Sequence, residues 1–223
     1  MALSRRVIAF GWMICLMLGL AITGTGAAQG TSVAAAAEQH SASAAGGIVY
    51  VIPVQMTVQG GLASFLDRAL TEAEEAHADL AILNVNTPGG QLITAEQIAQ
   101  RIREAKVPTV AFVSGMAASA GAYLSLNADE IVMSPASSIG AAMIVDQAGN
   151  AVESPKTVGF WRSQMESAAE MNGRNPSIAV AMVDPNFELN MPEIGKTKEK
   201  GQILSLTAQE ALKVGYADHV AKT

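Results

Sequence analysis

The chain has 223 residues, half of them apolar and 15% charged, with a formal charge of −6. This is the composition of a globular protein and excludes an intrinsically disordered one. The acidic balance, with no basic stripe interleaved with aromatics, excludes a nucleic-acid surface.

Arg5 and Arg6 precede an uncharged apolar stretch over residues 7–22, and Gly26, Ala27 and Ala28 follow it. A positive start, an apolar run and small residues form the pattern of an export signal. The run is slightly long for a signal and slightly short for a membrane span. Residues 1–28 therefore read as a cleaved signal peptide or an N-terminal membrane anchor. In either form the remaining chain lies outside the cytoplasm, and the two arginines fit the positive-inside bias. The single cysteine, Cys15, lies in this leader. A mature chain without it offers no thiolate nucleophile, zinc–thiolate site or disulfide. Residues 29–46 are rich in Ala, Ser and Gly and are expected to form a flexible tether. Residues 47–223 are the expected folded domain.

From Gly47 onward, strand and helix signals alternate. Residues 48–52 form a short β-rich run that should end near Pro53. Leu62, Phe65, Leu66, Ala69, Leu70 and Ala73 share one helical face. Residues 80–85 read as a buried strand, stopped by Pro88-Gly89-Gly90. Thr94 and Gln97 have capping-box spacing, with Ile93 and Ile98 placed as its staple, and the helix should run to about Lys106. A strand over 109–113, a helix over 117–127 and a short strand over 131–133 follow. Near the end, a strand over 203–206 precedes a capping box of Thr207 and Glu210, a helix stopped at Gly215 and a closing strand over 218–221. Strands joined by helices of this length imply an α/β domain with parallel pairing.

Ser119 sits where a strand gives way to a helix among small residues, in the run SGMAASAGAY over 114–123. A helix start presents unpaired N–H groups and the positive end of a dipole, which suit an oxyanion. Ala117 occupies the place of the first Gly in a Gly-x-Ser-x-Gly elbow. A serine in an Ala-rich helix start also serves as a cap or packing residue. In Asn86-Thr87-Pro88-Gly89-Gly90, the paired glycines permit φ > 0 and uncovered N–H groups; a tight turn uses the same residues. Serine needs a base. His40 lies in the tether, His77 in a polar helix and His219 near the last strand, and none has a pattern suggesting a triad. A lysine serves when desolvation keeps it neutral. Lys156 follows Pro155 and precedes Val158, Phe160 and Trp161, unusually apolar surroundings for a lysine that could otherwise snorkel at the surface. No phosphate-binding Walker loop is present, so the chain does not itself use ATP.

The stretches LNVNTPGG (83–90), ASAGAY (118–123), SPASSIGA (134–141) and LTAQEAL (206–212), with MNGRNP (171–176), occur in this order. Together they resemble the Clp-protease-like domain of NfeD-type membrane serine peptidases, which is similar to the Clp peptidase subunit and to signal peptide peptidase A. The resemblance covers residues 47–221. It implies an α/β, Clp/crotonase-like stack of β-β-α units. It implies a Ser-Lys dyad of Ser119 and Lys156, with oxyanion donors at the backbone N–H of Ala120 and of Gly89 or Gly90. No metal or organic cofactor is implied. The substrates implied are hydrophobic peptide segments, such as the C-terminal part of stomatin-like membrane proteins, held beside Gly89 and Gly90 as an added strand. A homo-oligomer, dimer or ring, is implied as well. Many members of that family continue into several membrane spans and a small β-barrel; this sequence ends at Thr223. The residues 185–201, with three lysines, read as a solvated loop or a lid.

Three functions follow from these readings. The first is peptide-bond hydrolysis outside the cytoplasm. The second is a non-catalytic, peptide-binding scaffold at the membrane, favoured by an exposed Lys156. The third is an acyl-CoA hydratase or isomerase on the same fold, disfavoured by the export signal.

Overall fold

The structure, a computed structural model, describes residues 47–222. The expected leader over 1–28 and tether over 29–46 lie outside the described residues.

Alternating strands and helices build the first half of the domain. They are β1 (Val49–Gln55), α1 (Gly60–Glu75), β2 (Leu80–Thr87), α2 (Leu92–Arg103), β3 (Thr109–Ala118), α3 (Ala120–Leu126) and β4 (Glu130–Met133). Next come β5 (Ser138–Gly140), α4 (Pro155–Met171), α5 (Pro176–Val183) and a hairpin of β6 (Leu189–Met191) and β7 (Lys196–Lys198). The domain closes with β8 (Ser205–Thr207), α6 (Ala208–Lys213) and β9 (His219–Val220). The main sheet has the order β1-β2-β3-β4-β9, all parallel. A parallel crossover needs a long connection, and the helices supply it.

Each early unit adds a second, shorter strand segment after its first. These segments are Val58 bridging Gly90, residues 116–118 of β3, and β5. The first half of β3 pairs β4 and its second half pairs β5, which in turn pairs β8 antiparallel within the same sheet. This is the β-β-α repetition expected of the fold. It carries the ends of β2 and β3 past the main sheet to one place, where the Pro-Gly-Gly turn and Ser119 meet.

Alternation fixes which side of the sheet is buried. Ile52, Val54, Leu83, Val85, Ala111, Val113, Ile131 and Met133 join Leu66 and Leu70 of α1 and Ile98 and Ile102 of α2 in one apolar core. The helical face expected over 62–73 is the one that packs, with Leu66, Leu70 and Ala73 fully covered. The capping box at Thr207 and Glu210 is formed in both directions.

Three local expectations are corrected. β1 runs through Pro53 to Gln55, because β1 is an edge strand and its missing N–H breaks no ladder bond. Thr94 caps nothing: α2 starts at Leu92, Gln91 is fixed by its N–H to Val58 O at 2.8 Å, and Ile93 is 76% exposed. The helix expected from residue 117 begins only at Ala120, since pairing with β5 holds residues 116–118 extended.

Candidate active site

The site grows from the ends of β2 and β3. β3 stops at Ala118, and the Ser119 N–H donates to Gly140 O at 3.0 Å, so the chain must turn sharply to start α3. Ser119 takes up that turn at φ 53° and ψ −120°, a region that non-glycine residues avoid. Such a conformation costs on the order of 1–3 kcal/mol and persists only where its surroundings enforce it. A strained strand-to-helix turn is the geometry of a nucleophile elbow, here reached without its first glycine. Room for it comes from the facing loop. Gly89 lies at φ 105°, and a Cβ there would come within 2.5 Å of Ser119 Cβ. A Cβ on Gly90 would fall 2.2 Å from Val58 O.

The backbone donors divide sharply. The Gly89 N–H donates to Thr87 Oγ1 at 3.1 Å. The N–H groups of Gly90 and Ala120 have no hydrogen-bond partner among the described residues. Gly90, Ser119 and Ala120 line a cavity of about 810 Å³, and Gly89 does not. Its other walls are mostly apolar, with Leu92, Ala142, Met143, Ile144, Val145, Trp161 and Ile203 among them.

Behind Ser119, the structure packs a polar network that the sequence did not reveal. Tyr123, one helical turn after Ser119, is fully buried and donates its hydroxyl to Glu96. Burial and that hydrogen bond push the phenol up, against a lowering by Arg103. Arg103 bridges Glu96 at 3.0 Å and Asn127 Oδ1 at 2.6 Å, and Asn127 Nδ2 donates to Tyr123 O. The Tyr123 ring meets Trp161 of α4 at 4.8 Å between centroids and a 60° tilt. The Trp161 indole N–H donates to Ala142 O at 2.7 Å, tying α4 to the cavity wall. A tryptophan this deeply buried needs a partner for its N–H, and that requirement is the signal by which sequence reading could have flagged it.

Lys156 stands at the second position of α4, exposed, and outside the cavity lining. No hydrogen bond joins it to Ser119. His77 and His219 also lie outside the lining. Asp146 does line it, but its carboxylate accepts from the N–H groups of Ala148 and Asn150. Bonds from Asn150 hold that carboxyl below the usual carboxylate range. Lys198 is buried and donates to the carbonyls of Asp184 and Phe187, and burial pulls its ammonium below the usual lysine range. It clamps the 184–187 turn, so the expected loop or lid over 185–201 is instead the β6–β7 hairpin with a 3-10 turn at Pro192–Ile194. No cluster of three or more potential metal ligands occurs among the described residues. Nor is any helix among them long and apolar enough to cross a membrane.

A family profile described as NfeD1b, N-terminal domain, matches residues 48–223. Membrane protein NfeD1b of Bacillus subtilis is 46% identical over 183 residues, covering 82% of this chain and 41% of the relative. Membrane-bound protease PH1510 of Pyrococcus horikoshii is 34% identical over 182 residues, covering 78% and 37%. The chain thus spans about two fifths of the length of these relatives. A solved structure of the 1510-N membrane-bound stomatin-specific protease, as a lysine-to-alanine mutant with a substrate peptide, is 32% identical with a TM-score of 0.68. That match covers 80% of this chain and 77% of the other. ClpP1 from Listeria monocytogenes, at 19% identity and a TM-score of 0.58 over 78% of this chain and 91% of its own, shares the Clp-like fold. With the Ser119 turn, the Pro-Gly-Gly loop and the sheet that brings them together, the chain belongs to the NfeD1b N-terminal domain family.

Proposed function

We propose that the domain is a serine peptidase in which Ser119 is the nucleophile and Lys156 its base. The observation that carries this reading is the strained Ser119 turn beside the N–H groups of Gly90 and Ala120, both without a partner among the described residues, on one apolar cavity. Ser119 Oγ attacks the scissile carbonyl while the Lys156 amine takes its proton, and the two N–H groups hold the oxyanion. The proton passes to the leaving amine, and water activated by the same lysine releases the acyl group. Gly89, whose own N–H is engaged, shapes the turn; Gly90 and Ala120 are the donors. Because Lys156 is exposed and outside the cavity lining, this reading requires the α4 N-terminus, five residues before Trp161, to bring the lysine to Ser119. Supporting the pair, the 1510-N relative was solved both as a serine-to-alanine mutant and, with substrate peptide, as a lysine-to-alanine mutant.

The apolar cavity suits hydrophobic peptide segments, and a stomatin-like membrane protein is the substrate type suggested by the relative. The domain acts outside the cytoplasm, associated with the membrane, as a homo-oligomer. The side of the sheet opposite the helices supports assembly: Val49 and Val51 are 49% and 62% exposed beside half-buried Ile82, Phe112 and Val132. The test is cleavage of an apolar peptide panel, including stomatin-tail sequences, by the full chain beside Ser119→Ala and Lys156→Ala. Cutting by the parent chain alone supports the dyad; equal cutting by Lys156→Ala removes the lysine from the mechanism.

A second reading is a non-catalytic peptide-binding scaffold, and the exposure of Lys156 favours it. It requires peptide binding in the cavity with no covalent labelling of Ser119 by a fluorophosphonate.

A further inference from the structure

Thr87 is the last residue of β2 and is completely buried. A buried hydroxyl must find partners, and this one has two. Its Oγ1 donates to Met56 O and accepts from the Gly89 N–H at 3.1 Å. The loop is pinned again just beyond. The Val58 N–H donates to Gly89 O at 2.8 Å, and the Gln91 N–H donates to Val58 O at 2.8 Å. Met56 itself is held at φ 72°, outside the usual region for its type. Both polar groups of Gly89 are therefore engaged, by Thr87 and by Val58, while the N–H of the next residue, Gly90, has no partner among the described residues beside the cavity.

The other side of Thr87 bears on the second donor. A Cβ on Gly121 would fall 2.6 Å from Thr87 Cγ2, so the threonine methyl rests against the first turn of α3. That turn carries the Ala120 N–H. One side chain thus touches both halves of the oxyanion site: its hydroxyl orders the Gly90 loop, and its methyl spaces the loop from the helix.

We propose that Thr87 is a positioning residue for oxyanion stabilisation, holding the Gly90 and Ala120 donors at a common point without itself touching substrate. The proposal rests on the serine peptidase reading. Misplacing a donor by an ångström costs up to about 100-fold, whereas binding along the apolar cavity does not depend on it.

The test uses the full chain with Thr87→Val, which keeps the shape and removes the hydroxyl, and Thr87→Ser, which keeps the hydroxyl. Folding is checked by circular dichroism and active sites are counted with a fluorophosphonate. Per active site, Thr87→Val should lower kcat about 10- to 100-fold with KM within about 3-fold, and Thr87→Ser should recover most of the loss. A peptide aldehyde, whose hemiacetal oxygen occupies the same hole, should lose affinity for Thr87→Val in step with kcat. A non-reacting peptide amide should bind unchanged. A purely structural role would lower the number of active sites and leave kcat per site intact, and that result overturns the proposal. So does equal impairment of the two variants. If Thr87→Val does not fold, Thr87→Ala takes its place against Thr87→Ser under the same criteria. A parent chain that neither cuts nor is labelled, or a Ser119→Ala chain that does both, overturns the peptidase reading and this proposal with it. An active parent, a silent Ser119→Ala and a normal Thr87→Val overturn the Thr87 assignment alone.

Discussion

At the scale of single residues, the site is defined by what Ser119 is forced to do and what Gly89 is spared. Ser119 holds a positive-φ conformation that its neighbours impose, and Gly89 provides the space by lacking a Cβ. Replacing Gly89 by alanine sets a methyl 2.5 Å from Ser119 Cβ at a φ of 105°. The expected result is a loss of about 1–3 kcal/mol in urea unfolding. Fluorophosphonate labelling of Ser119 should fall together with it. Unchanged labelling of a folded Gly89→Ala chain would mean that the two residues are not in contact in solution. Trp161 offers a second test. Trp161→Phe keeps a ring against Tyr123 but leaves Ala142 O without its donor. A destabilisation of about 1–3 kcal/mol is expected for the orphaned carbonyl.

Among the elements, α6 is the clearest case of local sequence dictating local structure. Thr207 accepts from the Glu210 N–H, and Glu210 accepts from the Thr207 N–H at 2.9 Å and from Lys196 at 3.0 Å. The Thr207 N–H first, then Lys196 and the Thr207 hydroxyl, outweigh burial and hold the Glu210 carboxyl below its usual value of 4.5. A folded-state pKa below the unfolded one gives stability that is full above the unfolded value. That stability is lost as pH falls through the folded one. Urea midpoints of the parent chain and Glu210→Gln should therefore differ near neutrality and converge in the acid range. A gap that stays constant with pH would remove Glu210 from the linkage. Thr207→Ala should cost about 1 kcal/mol, the usual loss of a helix cap.

For the whole molecule, closure depends on Arg174 in the turn between α4 and α5. Its guanidinium, almost fully buried, pairs with Asp218 at 2.8 Å and donates to Tyr216 O at 3.2 Å. Asp218 also accepts from the Ile131 N–H at 2.7 Å, so one cluster joins β4, the α4–α5 turn and the approach to β9. Asp218→Ala leaves the guanidinium buried without its counter-ion. A loss of about 2–3 kcal/mol is expected, less than for a fully buried pair because Asp218 is 42% exposed. Cooperative unfolding monitored by Trp161 fluorescence and by circular dichroism should shift as one transition. Assembly is tested at this scale too. Light scattering of the full chain in mild detergent should give more than one chain per particle, and Val51→Arg on the open side of the sheet should reduce the number.

The sequence by itself determined the α/β class, the buried stripe of α1 and the cap of α6, and it singled out the two segments that the structure brings together at the candidate cavity. Each of these is written in local periodicity, in turn residues or in a motif. It left open which Gly-Gly N–H is free, because that depends on Thr87 reaching Met56 some thirty residues earlier in the chain. It misplaced the starts of α2 and α3, because pairing of Gln91 with Val58 and of residues 116–118 with β5 overrides local helix signals. It was silent on the Tyr123–Glu96–Arg103 network, whose members look like ordinary helix residues until α2 and α3 pack together. The unusual backbone at Ser119 was likewise decided only by the tertiary structure. Strain at one residue is tolerated when contacts distant in sequence over-determine it.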